Sequence, residues 1–141
     1  MAGPVLGLFL AWAGVAGAGE IVVVAHPTLP VESLSADELR GIYKGEVIFV
    51  ARMKVHPVTY ANRVPVFEGF LGSVVGMTPG QYEGYWIKEV FHSGRVPPRK
   101  AVSPADVVGI VATEPGAIGY VPAEALRGVN SVKRVYSVRI P

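Results

Sequence analysis

Three helix starts are marked in this chain, and the β-branched runs between them restrict it to an alternation of helices and strands. The clearest lies in LSADELRGIYKGE, residues 34–46. Ser35 is an N-cap residue whose hydroxyl accepts from an orphan N–H of the first turn, and Glu38, three places on, reaches back to complete a capping box. Leu34 and Leu39 hold the two positions of a hydrophobic staple, and Asp37 and Glu38 suit the positive end of the helix dipole. Leu39, Ile42 and Tyr43 share one face, Lys44 falls in the last turn, and Gly45 supplies a left-handed stop. Thr78 repeats this grammar. Pro79 takes the first helical position, Gln81 closes the box, Met77 and Tyr82 form the staple, and Gly94 ends the helix. Tyr82, Tyr85, Trp86 and Val90 give that helix a bulky aromatic face. Ser103-Pro104 opens a third helix with a Val102–Val107 staple, and Val107, Val108, Ile110 and Val111 fill its buried side.

Residues 20–26 (EIVVVAH) read as a buried strand ended by Pro27. Residues 54–60 (KVHPVTY) are a second strand, which Pro57 assigns to an edge or an irregular segment. Residues 65–75 are helical by pattern, with Phe67, Phe70, Leu71 and Val74 at i, i+3, i+4 and i+7 and Gly76 as the stop. Gly69 and Gly72 each weaken that helix by about 1 kcal/mol relative to Ala, which suits close packing. Residues 46–53 carry no clear period, and VIFV fits either a strand or a loop. AIGYV, residues 117–121, is a central strand, residues 122–126 a single helical turn, and residues 132–140 an alternating final strand. Strands separated by helices predict an α/β fold, a largely parallel sheet covered by helices.

Composition removes several function classes. A chain of 141 residues, half of them apolar, is one domain with a real core. The net charge of +2 is spread without the basic stripe and interleaved aromatics that nucleic acid requires, so no nucleic-acid partner is expected. With no cysteine, disulfides, thiolate metal sites and cysteine nucleophiles are excluded. His26, His56 and His92 sit at no metal-ligand spacing, so no metal or other cofactor is expected. No serine lies in a G-x-S-x-G elbow, and neither a phosphate-binding lysine loop nor a dinucleotide glycine fingerprint is present. An enzyme is therefore the least supported class.

Residues 1–18 read as a secretory signal, with an apolar run over residues 5–15 and a small-x-small cleavage site at Ala16-Gly17-Ala18. No Lys or Arg precedes the run, and the run is short for a bilayer span. The expectation is a signal only transiently in the membrane, a mature domain over residues 19–141, and a periplasmic or otherwise exported location.

The stretch from IVVVAHP through LSADELRGIYKGE resembles the corresponding part of the periplasmic substrate-binding proteins of phosphate ABC transporters. In these a hydrophobic strand and a short loop precede an LS-x-x-EL-x-x-IF-x-G helix. PGAIGYV, residues 115–121, is close to a second signature of that family. The resemblance implies one lobe of a periplasmic-binding-protein-like fold of type 2, a small oxyanion such as phosphate as ligand, and an ABC transporter permease or another periplasmic protein as partner. It also implies a ligand loop after the second strand, matching residues 59–65. There Arg63 is positioned for a bidentate contact to an oxyanion, and Thr59 and Asn62 for hydrogen bonds. That loop lacks the Ser-Gly-Thr-like cluster of the family, and the family's glycine-rich N-terminal ligand segment is absent. Arg95, Arg99 and Lys100 read as a solvated loop. The rival reading is a periplasmic interaction or regulatory module that keeps the fold without binding a ligand.

Overall fold

The computed structural model describes residues 19–140. The expected signal segment, residues 1–18, lies outside the described residues. Strand β1 (Gly19–Ala25) leads into helix α1 (Ala36–Tyr43), the short strands β2 (Phe49–Val50) and β3 (Met53–Lys54), and strand β4 (His56–Tyr60). Helices α2 (Pro65–Phe70) and α3 (Pro79–Ser93) follow, then β5 (Arg99–Ala101), α4 (Pro104–Thr113), β6 (Ala117–Pro122) and β7 (Lys133–Ile140).

The helix starts form as their local chemistry dictates. At α1 the Glu38 N–H donates to the Ser35 hydroxyl at 3.1 Å, and the Ser35 N–H donates to the Glu38 carboxylate at 2.8 Å. At α3 Thr78 and Gln81 make the same reciprocal pair at 3.1 and 2.9 Å. At α4 the Asp106 N–H donates to the Ser103 hydroxyl, but the expected Val102–Val107 staple does not form. Val107 is buried while Val102 is exposed. The Val102 N–H instead donates to the Asp106 carboxylate at 2.9 Å, so hydrogen bonds fix this start without apolar contact. After α2 the helix widens into a π turn over Leu71–Val75 and stops at Gly76.

The main sheet has the order β5-β4-β6-β1-β7. β4 pairs in parallel with both β5 and β6, whereas β1 runs antiparallel to its two neighbours, β6 and β7. Four strands thus share one direction and β1 alone opposes them, which is the largely parallel sheet expected. The AIGYV strand is central, and Ile118 and Tyr120 in it are fully buried. Pro57 does not mark an edge, since β4 lies between β5 and β6. The sheet tolerates it because the His56 N–H donates to Gly116 on the β6 side, which turns Pro57 toward the β5 side. There the ladder begins only at Val58.

Side chains alternate across β6 and meet helices on both faces. On one face Tyr120 stacks on Phe70, with ring centroids 3.9 Å apart, and meets Tyr43 of α1 edge-on at 5.6 Å. On the other face α4 lies so close that a Cβ on Gly119 would come within 2.5 Å of the Val107 side chain. Gly116 turns the chain into β6 at φ +86°, where any Cβ would strike the Lys54 carbonyl oxygen. Both glycines of PGAIGYV are therefore set by packing and backbone geometry.

The aromatic face of α3 does more than fill space. The last carbonyls of α1 lack helical partners. The Tyr82 hydroxyl and the Trp86 indole N–H donate to the Tyr43 carbonyl at 2.5 and 3.3 Å, and the Tyr85 hydroxyl donates to that of Lys44 at 2.6 Å. Helix α3 in this way caps the end of α1.

Candidate functional site

The loop between β4 and α2 separates the three residues expected to meet a ligand. Thr59 is buried at the end of β4, and its hydroxyl lies 2.6 Å from the Tyr120 phenolic oxygen. Tyr60, next along, donates its own hydroxyl to the Tyr120 carbonyl at 2.9 Å, so this strand end is held rigidly against β6. Asn62 and Arg63 lie beyond it, both exposed, where the chain turns toward α2. The Asn62 carbonyl accepts from the Val64 N–H at 2.9 Å, which fixes the turn. Val64 occupies the N-cap position of α2 and makes no side-chain cap.

Arg63 is not solvated alone. Its guanidinium forms a two-pronged contact with Glu83 of α3, Nη2 to Oε1 at 2.6 Å and Nε to Oε2 at 3.3 Å. The hydrogen bond from Arg63 holds the Glu83 carboxyl below its ordinary value, with the Arg63 and Lys100 charges adding to the effect. The same bond raises the Arg63 guanidinium. Both side chains are about half exposed, so the pair counts for geometry more than for stability. Sequence carried no signal for Glu83, because it lies twenty positions from Arg63 on a different element.

Glu83 forms part of the wall of a groove of about 500 Å³. Tyr60, Phe67 and Trp86 line it, Ile87 and Phe91 border it, and Lys100 is its cation. A second cavity, of about 570 Å³, lies at the opposite end of β4 beside Lys54 and His56. Two of its cations are already paired, Arg95 with Glu89 at 3.2 Å and Arg99 with Glu114. Arg95 is an exposed loop residue as expected, whereas Arg99 and Lys100 lie on strand β5 with exposed side chains and do not belong to a loop. Among the described residues no group of three or more His, Asp or Glu side chains is placed to hold a metal ion. Also among the described residues, no helix is long and apolar enough to cross a membrane.

No family model matches the chain, and no curated protein matches it. Solved structures do. An ABC-type phosphate transport receptor from Vibrio cholerae superposes with a TM-score of 0.65 at 22% identity, covering 84% of this chain and 45% of the receptor. A putative phosphate ABC transporter substrate-binding protein from Clostridium perfringens, solved with bound phosphate, gives 0.60 at 18% identity, covering 84% and 44%. PstS from Borrelia burgdorferi gives 0.63 at 11%, covering 84% and 47%. The chain therefore has the fold found in these proteins and spans less than half the length of each. At these identities the likeness is one of fold.

Proposed function

We propose that this chain is an exported solute-binding domain that receives phosphate or another small oxyanion for an ABC transport system, with Asn62 and Arg63 as the contacting side chains. Thr59 supports them from beneath by locking the end of β4 to Tyr120. The observation that carries this reading is the guanidinium of Arg63, in the turn after β4, which presents two N–H groups as a fork to the Glu83 carboxylate, a geometry that also matches an oxyanion. The fold shared with a phosphate transport receptor and with a phosphate-bound substrate-binding protein supports it.

Glu83 occupies that fork, so an incoming anion must displace it. Asn62 and Arg63 are both exposed, so an anion held by them stays partly hydrated. Binding is therefore expected to be weak and strongly salt-dependent. Calorimetry against phosphate, sulfate and a neutral sugar at fixed ionic strength tests the reading. Arg63→Ala should abolish oxyanion binding with little change in thermal stability. Glu83→Gln, which removes the competing charge, should tighten it several-fold. Binding indifferent to Arg63→Ala would remove the site from consideration. The export part of the proposal rests on the apolar run and Ala-x-Ala site of residues 1–18. Mass spectrometry of protein from its native host should find a mature N-terminus close to Gly19, and an intact Met1 on the soluble species would overturn it.

The pairing of Arg63 with Glu83 also favours a second reading, an interaction module that keeps the fold and no longer binds an anion. In that case neither substitution alters the response to phosphate, because there is none.

A further inference from the structure

Helix α3 bears apolar residues on two sides. Tyr82 and Trp86 face inward and are buried, while Ile87, Val90 and Phe91 stand in solvent at 71, 46 and 88% exposure. Single exposed apolar residues are ordinary, but these three border one groove with Pro97 and Pro98 along it. Its volume of about 500 Å³ falls within the range of small-molecule pockets. Charged groups in it are few. Glu83 is already engaged by Arg63 at 2.6 Å, whereas Lys100 has no ion-pair partner among the described residues. The groove is therefore lined mostly by apolar side chains, with Glu83 and Lys100 as its charged residues and Arg63 bound to Glu83 beside it, so one cation is left without a carboxylate.

An inorganic oxyanion at Arg63 leaves this apolar surface in water. Resting on the oxyanion reading of the β4–α2 loop, we infer that the site takes an organic phosphomonoester, its phosphate meeting Arg63 and Lys100 and its apolar body lying along Ile87, Val90 and Phe91. Charge complementarity fixes the head, and burial of apolar surface rewards the tail. The two requirements are separable, because they fall on different side chains.

Calorimetry of the full chain with inorganic phosphate, phenyl phosphate and phenol, at fixed ionic strength, tests this inference. Phenyl phosphate should bind at least about tenfold tighter than inorganic phosphate, and with a more negative heat-capacity change. Ile87→Ser and Phe91→Ser, at positions too exposed for the fold to depend on them, should erase that advantage and leave inorganic phosphate binding unchanged. Lys100→Ala should weaken both phosphates. Equal affinity for phosphate and phenyl phosphate would overturn the inference while sparing the oxyanion reading. Phenol binding as well as phenyl phosphate would overturn the assignment of the charged head. Absence of binding by either phosphate would overturn both proposals together. Self-association abolished by Ile87→Ser would assign the groove to a second copy of the chain and overturn the inference.

Discussion

The Thr59 hydroxyl and the Tyr120 phenolic oxygen lie 2.6 Å apart in the interior, joining β4 to β6 through their side chains. Both residues are buried, and Tyr120 also receives the Tyr60 hydroxyl at its carbonyl. This polar bond in an apolar setting links the end of β4, the strand that precedes Arg63, to the central strand of the sheet.

Replacing one partner leaves the other unsatisfied. Thr59→Val and Tyr120→Phe should each cost about 1–3 kcal/mol, the desolvation penalty of the orphaned group. The double variant should cost clearly less than the sum of the two, because neither hydroxyl then remains. Urea unfolding of the four proteins in a double-mutant cycle measures the coupling. Strictly additive losses would mean that the bond contributes nothing to the fold.

A different kind of prediction comes from the turn between β2 and β3. Ala51 and Arg52 both have positive φ, +49° and +69°, as a two-residue hairpin turn of type I′ requires. Neither residue is suited to it, since a left-handed conformation costs a side-chain-bearing residue roughly 1–2 kcal/mol. Replacing the pair by Asn-Gly should therefore raise stability by about 1 kcal/mol or more, seen as a higher unfolding midpoint at unchanged denaturant slope. A lower midpoint would mean that the Arg52 side chain contributes more than its backbone conformation costs.

That turn also shows where sequence reading reached its limit. The helices were legible because a cap is a local device: Ser35 and Glu38, or Thr78 and Gln81, find each other within four residues. The central strand was legible because Pro115-Gly116 breaks the chain just before a short apolar run. Residues 46–53 stayed ambiguous because Ala51-Arg52 lacks the Asn-Gly signal that announces a hairpin. Pro57 suggested an edge, and only the late start of β5 shows how an inner strand accommodates it. The opposed direction of β1 depends on pairings with Tyr120 and Tyr136, remote in sequence from Val23. The candidate site was only partly legible. Arg63 stood out by type and place, but its partner Glu83 and the groove of α3 arise only when distant elements pack, and no local pattern encodes them.

The last prediction concerns alkali. Five of the six tyrosines have phenols that burial pushes up from the ordinary value of 10.0: the part-buried Tyr85, and Tyr43, Tyr60, Tyr82 and Tyr120, which lie in the interior. Desolvation is the largest cause for each, because a phenolate in this interior loses its water. Folded values above unfolded ones fix the sign. Below pH 10 both states hold these protons and stability is insensitive to them; above it the unfolded chain releases protons that the native state keeps. Stability should therefore fall as pH rises from about 10. Phenolate absorbance followed upward from neutral pH should show these four interior phenols still protonated while the secondary structure is intact. The four buried ones should then ionise together, in one cooperative step that coincides with loss of the far-ultraviolet circular dichroism. Removing the Tyr82 hydroxyl, which donates to the Tyr43 carbonyl, by Tyr82→Phe should move that step to lower pH by loosening the packing of α3 on α1. Gradual ionisation of Tyr43, Tyr60, Tyr82 and Tyr120 with secondary structure intact would show that these phenols reach water in the native fold, against the burial from which their shifts arise.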